Sequence, residues 1–213
     1  MIPGITAGSF PAAGGGEIIY HTPGTDAYCR TNTPDTTDSF ILPEGYVAGD
    51  LLVAMISTSS STAISNLSGW TLLKQQGISG DGQMSVYTLE YVSGTPDTTF
   101  TFGGFGHRSV VYRLEGATLD NIQWAYSSNK TPPVLASDVN DGGMVFTMGT
   151  GLYRNAITGG PGTFVYSNTC TNTTYYISGA SIFNYNMAYD DQTAYTGTGS
   201  GDMGVLKIGI DAA

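Results

Sequence analysis

The chain has 213 residues, with 17 carboxylates against 7 Lys and Arg, a formal net charge of −10 and charged residues at 11%, well under the roughly 25% of an average soluble domain. The basic residues Arg30, Lys74, Arg108, Arg113, Lys130, Arg154 and Lys207 are scattered, whereas phosphate backbones bind through clustered cations, so nucleic acid is not expected as a partner. A composition with 30 Gly and 14 Tyr favours strands and turns over helices, with a surface built from Ser, Thr, Asn and Gln.

Residues 1–16 are small, with Pro3, Pro11 and the run Gly14-Gly15-Gly16, and read as an N-terminal arm able to order on a neighbouring subunit. No apolar run of seven or more precedes the first basic residue, Arg30, and no stretch reaches a membrane-spanning length. Neither Sec export nor membrane insertion is expected.

Residues 17–213 read as one all-β domain, an antiparallel β-sandwich of jelly-roll-like type. Short apolar or alternating runs separated by Gly, Pro, Asn and Asp place strands near 17–21, 37–42, 50–58, 70–77, 83–92, 98–102, 108–115, 122–127, 143–149, 163–168, 174–184, 193–197 and 203–210. In 108–115 the alternation puts Val110, Tyr112 and Leu114 on one face, and in 203–210 Leu206, Ile208 and Ile210 oppose Lys207. Leu51-Leu52-Val53-Ala54-Met55-Ile56 is apolar on both faces and is expected in mid-sheet with its outer side covered.

An internal repeat is visible. Gly49-Asp50-Leu51-Leu52-Val53-Ala54-Met55 is echoed by Gly142-Gly143-Met144-Val145-Phe146-Thr147-Met148, and each is followed twenty residues on by a Gly-led strand, at Gly69 or at Gly162. Pairing Ser109–Leu114 with Gly204–Gly209 gives a period of 93–95 residues, far longer than a solenoid unit. It predicts half-repeats at 37–117 and 130–213.

Imidazoles are available only at His21 and His107, in no metal-ligand spacing and beside no Gly-flanked nucleophile. Gly199-Ser200-Gly201-Asp202-Met203-Gly204 has the letters of a dinucleotide fingerprint but leads into a strand, where the fingerprint opens a helix. Asp138-Val139-Asn140-Asp141-Gly142 approaches a calcium loop but lacks the downstream Glu, and Asp190-Asp191 reads as a solvated loop tip. No catalytic residue, metal or cofactor is expected. Cys29 and Cys170 allow one bond or none, and free buried thiols are the expectation.

Trp70 follows Gly69 at a strand start and reads as core. Trp124 is a further aromatic of the kind that can stack on a sugar or anchor a protein contact, and the tyrosines of the second half, Tyr153, Tyr175, Tyr176, Tyr185, Tyr189 and Tyr195, are the candidate contact surface, for a sugar ring or for another subunit. The competing reading is cross-strand pairing within the sheets.

The run Val47-Ala48-Gly49-Asp50-Leu51-Leu52-Val53-Ala54, then Gly69-Trp70-Thr71-Leu72-Leu73, the strand through Tyr87 and Tyr91, and Val110-Val111-Tyr112-Arg113-Leu114-Glu115-Gly116-Ala117 together resemble a β-sandwich domain recurrent in bacteriophage structural proteins. That family shows an "AGDLLVA" strand, a "GWT" strand start and a "YRGV"-like strand end in this order. The resemblance covers 37–117 well and the rest loosely. It implies a non-enzymatic virion protein: a capsid decoration or cement protein, a head fibre or a tail-fibre module. Such a protein is assembled in the host cytoplasm, displayed on the outer surface of head or tail, and partnered by shell or tail subunits. Self-association as a homo-oligomer such as a trimer accords with virion symmetry. The alternative is a carbohydrate-binding module of a tail fibre or cell surface that attaches to host glycans.

Overall fold

The computed structural model describes residues 18–29, 37–59, 62–65, 67–78, 82–104, 106–129, 131–136, 139, 142–152, 154–172, 177–187, 193–199 and 203–212. The expected arm at 1–16 lies outside them. The strands are β1 (Ile19–Tyr20), β2 (Gly24–Cys29), β3 (Thr37–Ser39), β4 (Leu51–Thr58), β5 (Thr71–Ile78), β6 (Gly82–Glu90), β7 (Thr99–Thr101), β8 (Gly106–Glu115), β9 (Ala117–Ser127), β10 (Met144–Leu152), β11 (Arg154–Gly159), β12 (Thr163–Asn172), β13 (Ile177–Met187), β14 (Tyr195–Gly199) and β15 (Met203–Ala212). No helix occurs among the described residues, and the all-β sandwich expected from the alternation is the fold.

Two antiparallel sheets form the layers. The first has the order β1-β8-β4-β6-β5, with β2 also pairing β8, and the second the order β12-β13-β10-β15-β9. Two small ribbons, β3-β7 and β11-β14, accompany them. The chain completes the first sheet before starting the second and passes between them at Gly116, whose φ of 78° suits a residue without Cβ. Within the series β4, β5, β6, β8 and the series β10, β12, β13, β15 the second strand skips a place and the third fills the gap. A Greek key would return only its fourth strand beside the first. The jelly-roll expectation is not confirmed, since the chain fills the two sheets one after the other.

The inter-sheet core follows from alternation. Leu51, Val53 and Met55 of β4, Val86 of β6 and Val110, Tyr112 and Leu114 of β8 meet Met144, Phe146 and Met148 of β10, Phe183 of β13 and Leu206, Ile208 and Ile210 of β15. Each fully buried side chain of this size stabilises the fold by roughly 1.5–3 kcal/mol relative to exposure. β4 is buried along its whole length because its other face is covered too. Leu52, Ala54 and Ile56 lie under Phe40, Ile64, Leu67, Trp70, Phe100 and Phe102. The cover is pinned by the Trp70 indole N–H, which donates to the Asp97 carbonyl at 2.7 Å, and by the Tyr87 hydroxyl, which donates to the Ile64 carbonyl at 3.0 Å.

The sheets match each other strand for strand: β4, β5, β6 and β8 occupy the places of β10, β12, β13 and β15. Leu51 sits between Glu90 and Leu114 as Met144 sits between Met187 and Ile210. Both outermost strands carry a bulge at the same place, between Leu72 and Lys74 in β5 and between Phe164 and Tyr166 in β12. The crossovers match as well, since Ser65 bridges Thr101 over the first sheet where β11 pairs β14 in the second half. These registers revise the sequence pairing by one residue in two strands: Leu114 corresponds to Ile210, and Thr71 to Thr163. The boundary between the sheets does not coincide with the expected half-repeat bounds, because β9 precedes 130 and belongs to the second sheet. The first sheet draws its strands from residues 19–115 and the second from residues 117–212.

Candidate functional site

Of the six tyrosines proposed as a contact surface, Tyr153, Tyr175, Tyr176 and Tyr189 lie outside the described residues. Tyr195 is 1% exposed and packs with Ile157, Met203 and Val205 on the outer side of the second sheet. It therefore offers no surface. Gly149 and Gly160 make room for it, since a Cβ at either would come within 3.1 Å and 2.3 Å of its ring. Tyr185 stacks on Tyr20 at 4.3 Å between centroids, and Tyr20 in turn tilts against Tyr112 at 6.1 Å. Cross-strand and inter-sheet packing uses these two residues. Burial pushes the Tyr20 and Tyr112 phenols above their ordinary range.

The two imidazoles have different surroundings. His21 faces Glu115 at 3.3 Å in a partly exposed pair, beside an open cleft of about 560 Å³ lined by His21–Thr25 and Ile41–Glu44. His107 is fully buried in β8. Its Nδ1 lies 3.4 Å from an Asp38 carboxylate oxygen and its Nε2 3.6 Å from one of Asp26, while the rings of Phe100 and Phe102 stand nearly perpendicular to it with centroids 5.0 Å and 5.8 Å away. Burial lowers the imidazole pKa, with Asp38 and Asp26 pulling the other way and the neighbouring Arg108 reinforcing the fall. The cluster ties β2 and β3 to β8. Among the described residues no group of three His, Cys, Asp or Glu side chains could hold a metal ion, and no helix is long and apolar enough to cross a membrane.

The Gly49-Asp50 motif is a corner. The Asp50 carboxylate accepts from the Val47 amide at 2.7 Å and from Arg113 Nε at 2.6 Å, with Asp50 itself 1% exposed. Backbone bonds from Gly49 N to the Tyr91 carbonyl and from Tyr91 N to the Asp50 carbonyl, both 2.9 Å, lock the entry to β4. Motif residues at 47–54 and 110–117 thus meet in one structural junction.

Exposed apolar surface lies along the sandwich flanks. Leu72 and Phe164 are 47% and 55% exposed and occupy the matched positions just before the bulges of the two outermost strands. By register each lies on the outer side of its sheet, Leu72 beside Tyr87 and Phe164 beside Asn184. The matched bulged positions Leu73 and Val165 turn inward against the core. At the other edge of the second sheet Trp124 is 42% exposed with the Lys74 ammonium 3.9 Å from its ring centroid, a cation–π contact between the sheets. Sequence reasoning missed the Leu72 and Phe164 pair because each looks like an ordinary strand residue. The bulge that turns it outward is visible only in the register. Comparison of the chain with protein-family models, with curated proteins and with solved structures finds no match.

Proposed function

We propose that the chain is a non-enzymatic structural protein of a bacteriophage particle, a capsid decoration or cement protein or a head-fibre subunit, which acts by contact with neighbouring subunits. The observation that carries this reading is the matched pair of exposed apolar side chains, Leu72 and Phe164, on the outermost strands of two equivalent sheets. A sandwich with one such position on each sheet has two alike contact points facing different neighbours. A protein that binds two neighbours only when they are assembled stabilises the assembly. The resemblance of residues 37–117 to phage structural domains supports the same reading. Equivalent strand order, register and bulges support an origin of the two halves by internal duplication, and paired contact points follow from it.

The test is the stoichiometry of the chain in purified source particles, measured by quantitative mass spectrometry against the major shell protein. A simple fraction of the shell copy number means a head decoration protein, and a handful of copies per particle means a tail or fibre role. Complete absence removes the virion reading. A second reading, attachment to host glycans, is favoured by Trp124, whose half-exposed ring is of a kind that stacks on sugars. It predicts saturable binding on a glycan array that is lost in Trp124→Ala, and a silent array speaks for the subunit-contact role.

A further inference from the structure

We propose that Cys29 and Cys170 form an intramolecular disulfide that staples the two sheets together at one corner of the sandwich. The argument is one of register and stands apart from the particle reading. Cys29 pairs with Gly106 of β8. Stepping by two from Gly106 leads to Arg108, Val110, Tyr112 and Leu114, and the last three form the inter-sheet core. Directly paired residues share a face of a sheet, so position 29 falls on the inner face of the first sheet.

Position 170 falls on the inner face of the second by the same count. Cys170 pairs with Gly179 of β13, and Gly179 with Leu152 of β10. Two-residue steps lead from Gly179 to the core residue Phe183 and from Leu152 to the core residues Met148, Phe146 and Met144.

The two positions are also level. Ile18 N donates to the Gly142 carbonyl at 3.1 Å, which fixes the starts of β1 and β10 at the same end of the sandwich. Cys29 and Cys170 both lie at the other end, Cys29 opposite Gly106, whose carbonyl accepts from Ser59 N just past β4, and Cys170 in line with Leu152, the last residue of β10. Strands β2 and β12 approach within 8 Å between Cα atoms, closer than the roughly 10 Å between stacked sheets and toward the separation a disulfide spans.

The step is a thiol–disulfide exchange. One cysteine thiolate attacks a small-molecule disulfide and releases a thiol. The second cysteine then displaces the remaining half, so two cysteine thiols lose two electrons and two protons and the small disulfide leaves as two thiols.

The test uses the full chain, treated with excess oxidised glutathione, then denatured and alkylated with iodoacetamide. The expected result is a monomer with no alkylated cysteine and a mass about 2 Da below the reduced chain, with both cysteines taking label after reduction. Reduction should lower the melting temperature of the wild-type chain by something on the order of 10 °C and leave that of a Cys29→Ser, Cys170→Ser double variant unchanged. Two labelled cysteines, glutathione adducts on both, or a disulfide-linked dimer would overturn the proposal.

Discussion

At the scale of single residues, the buried polar contacts show what the sequence carries in plain view and what it hides. Asp50 and Gly49 are legible because the turn, the buried strand and the motif are contiguous. The role of Arg113 as the partner of Asp50 needs the β4–β8 register. His107 is hidden altogether, since its partners Asp26 and Asp38 reach it from separate strands. Its lowered pKa has a definite consequence for stability. The unfolded imidazole protonates from about pH 6.5 downward, while the native one stays neutral further into acid. The unfolded state therefore binds more protons in that window and stability falls as pH falls through it, with a slope of at most about 1.4 kcal/mol per pH unit for one site. Above pH 6.5 the site adds no pH dependence. Urea denaturation of wild type and His107→Gln across pH 8 to 5 should give a flatter curve for the variant below pH 6.5. Parallel curves would mean that His107 does not titrate differently in the two states.

For the strands and ribbons, alternation located thirteen of the elements and missed β2 and β11. Both missed strands contain Gly and polar residues at positions where a strand normally shows apolar alternation, and each exists because a partner, β8 or β14, supplies its hydrogen bonds. Local sequence cannot show a strand that a neighbour dictates. The one-residue errors in matching β5 to β12 and β8 to β15 have a related origin, because bulges and unequal connections shift the count and a one-residue slip exchanges the two faces. Close packing on the outer side of the second sheet gives a prediction at this scale. A Cβ at Gly209 would lie 2.7 Å from Leu135 Cδ1 and from Val139 Cγ2, so Leu135 and Val139 lie against β15 only because position 209 is bare. Gly209→Ala should destabilise by about 1–3 kcal/mol and raise hydrogen exchange in 131–136. Gly77→Ala, where nothing lies within 4 Å, should leave both unchanged. Equal effects of the two substitutions would remove the packing argument.

The two sheets share one core, and among the described residues Leu51, Val53, Phe146 and Ile208 are buried only in that shared cluster. Unfolding is expected to be a single transition. Each half carries one tryptophan, Trp70 over the first sheet and Trp124 at the edge of the second. Trp70→Phe and Trp124→Phe variants therefore report the two halves separately by fluorescence. Their urea midpoints, corrected for the stability change from each substitution by far-UV circular dichroism, should agree. Distinct midpoints would show that the halves unfold as independent units. The all-β layering was readable from alternation and composition, whereas the topology was not, because a jelly roll and two sheets filled in sequence present the same string of short strands.

That sequential filling bears on how the protein is made. Everything in the first sheet is synthesised before residue 117 is added, and at 5–20 residues per second the second sheet follows only after a delay on the order of 10 s. Through that interval the nascent chain displays an uncovered apolar face made of Leu51, Val53, Met55, Val110 and Leu114. A second nascent chain at the same stage presents the same face, and the matched geometry of the sheets means that a late-emerging second half fits either copy. Crowded polysomes, where two chains emerge side by side, are thus the setting in which this fold would exchange halves between copies, and sparse initiation, which keeps nascent chains apart, is the condition that favours the monomeric closure.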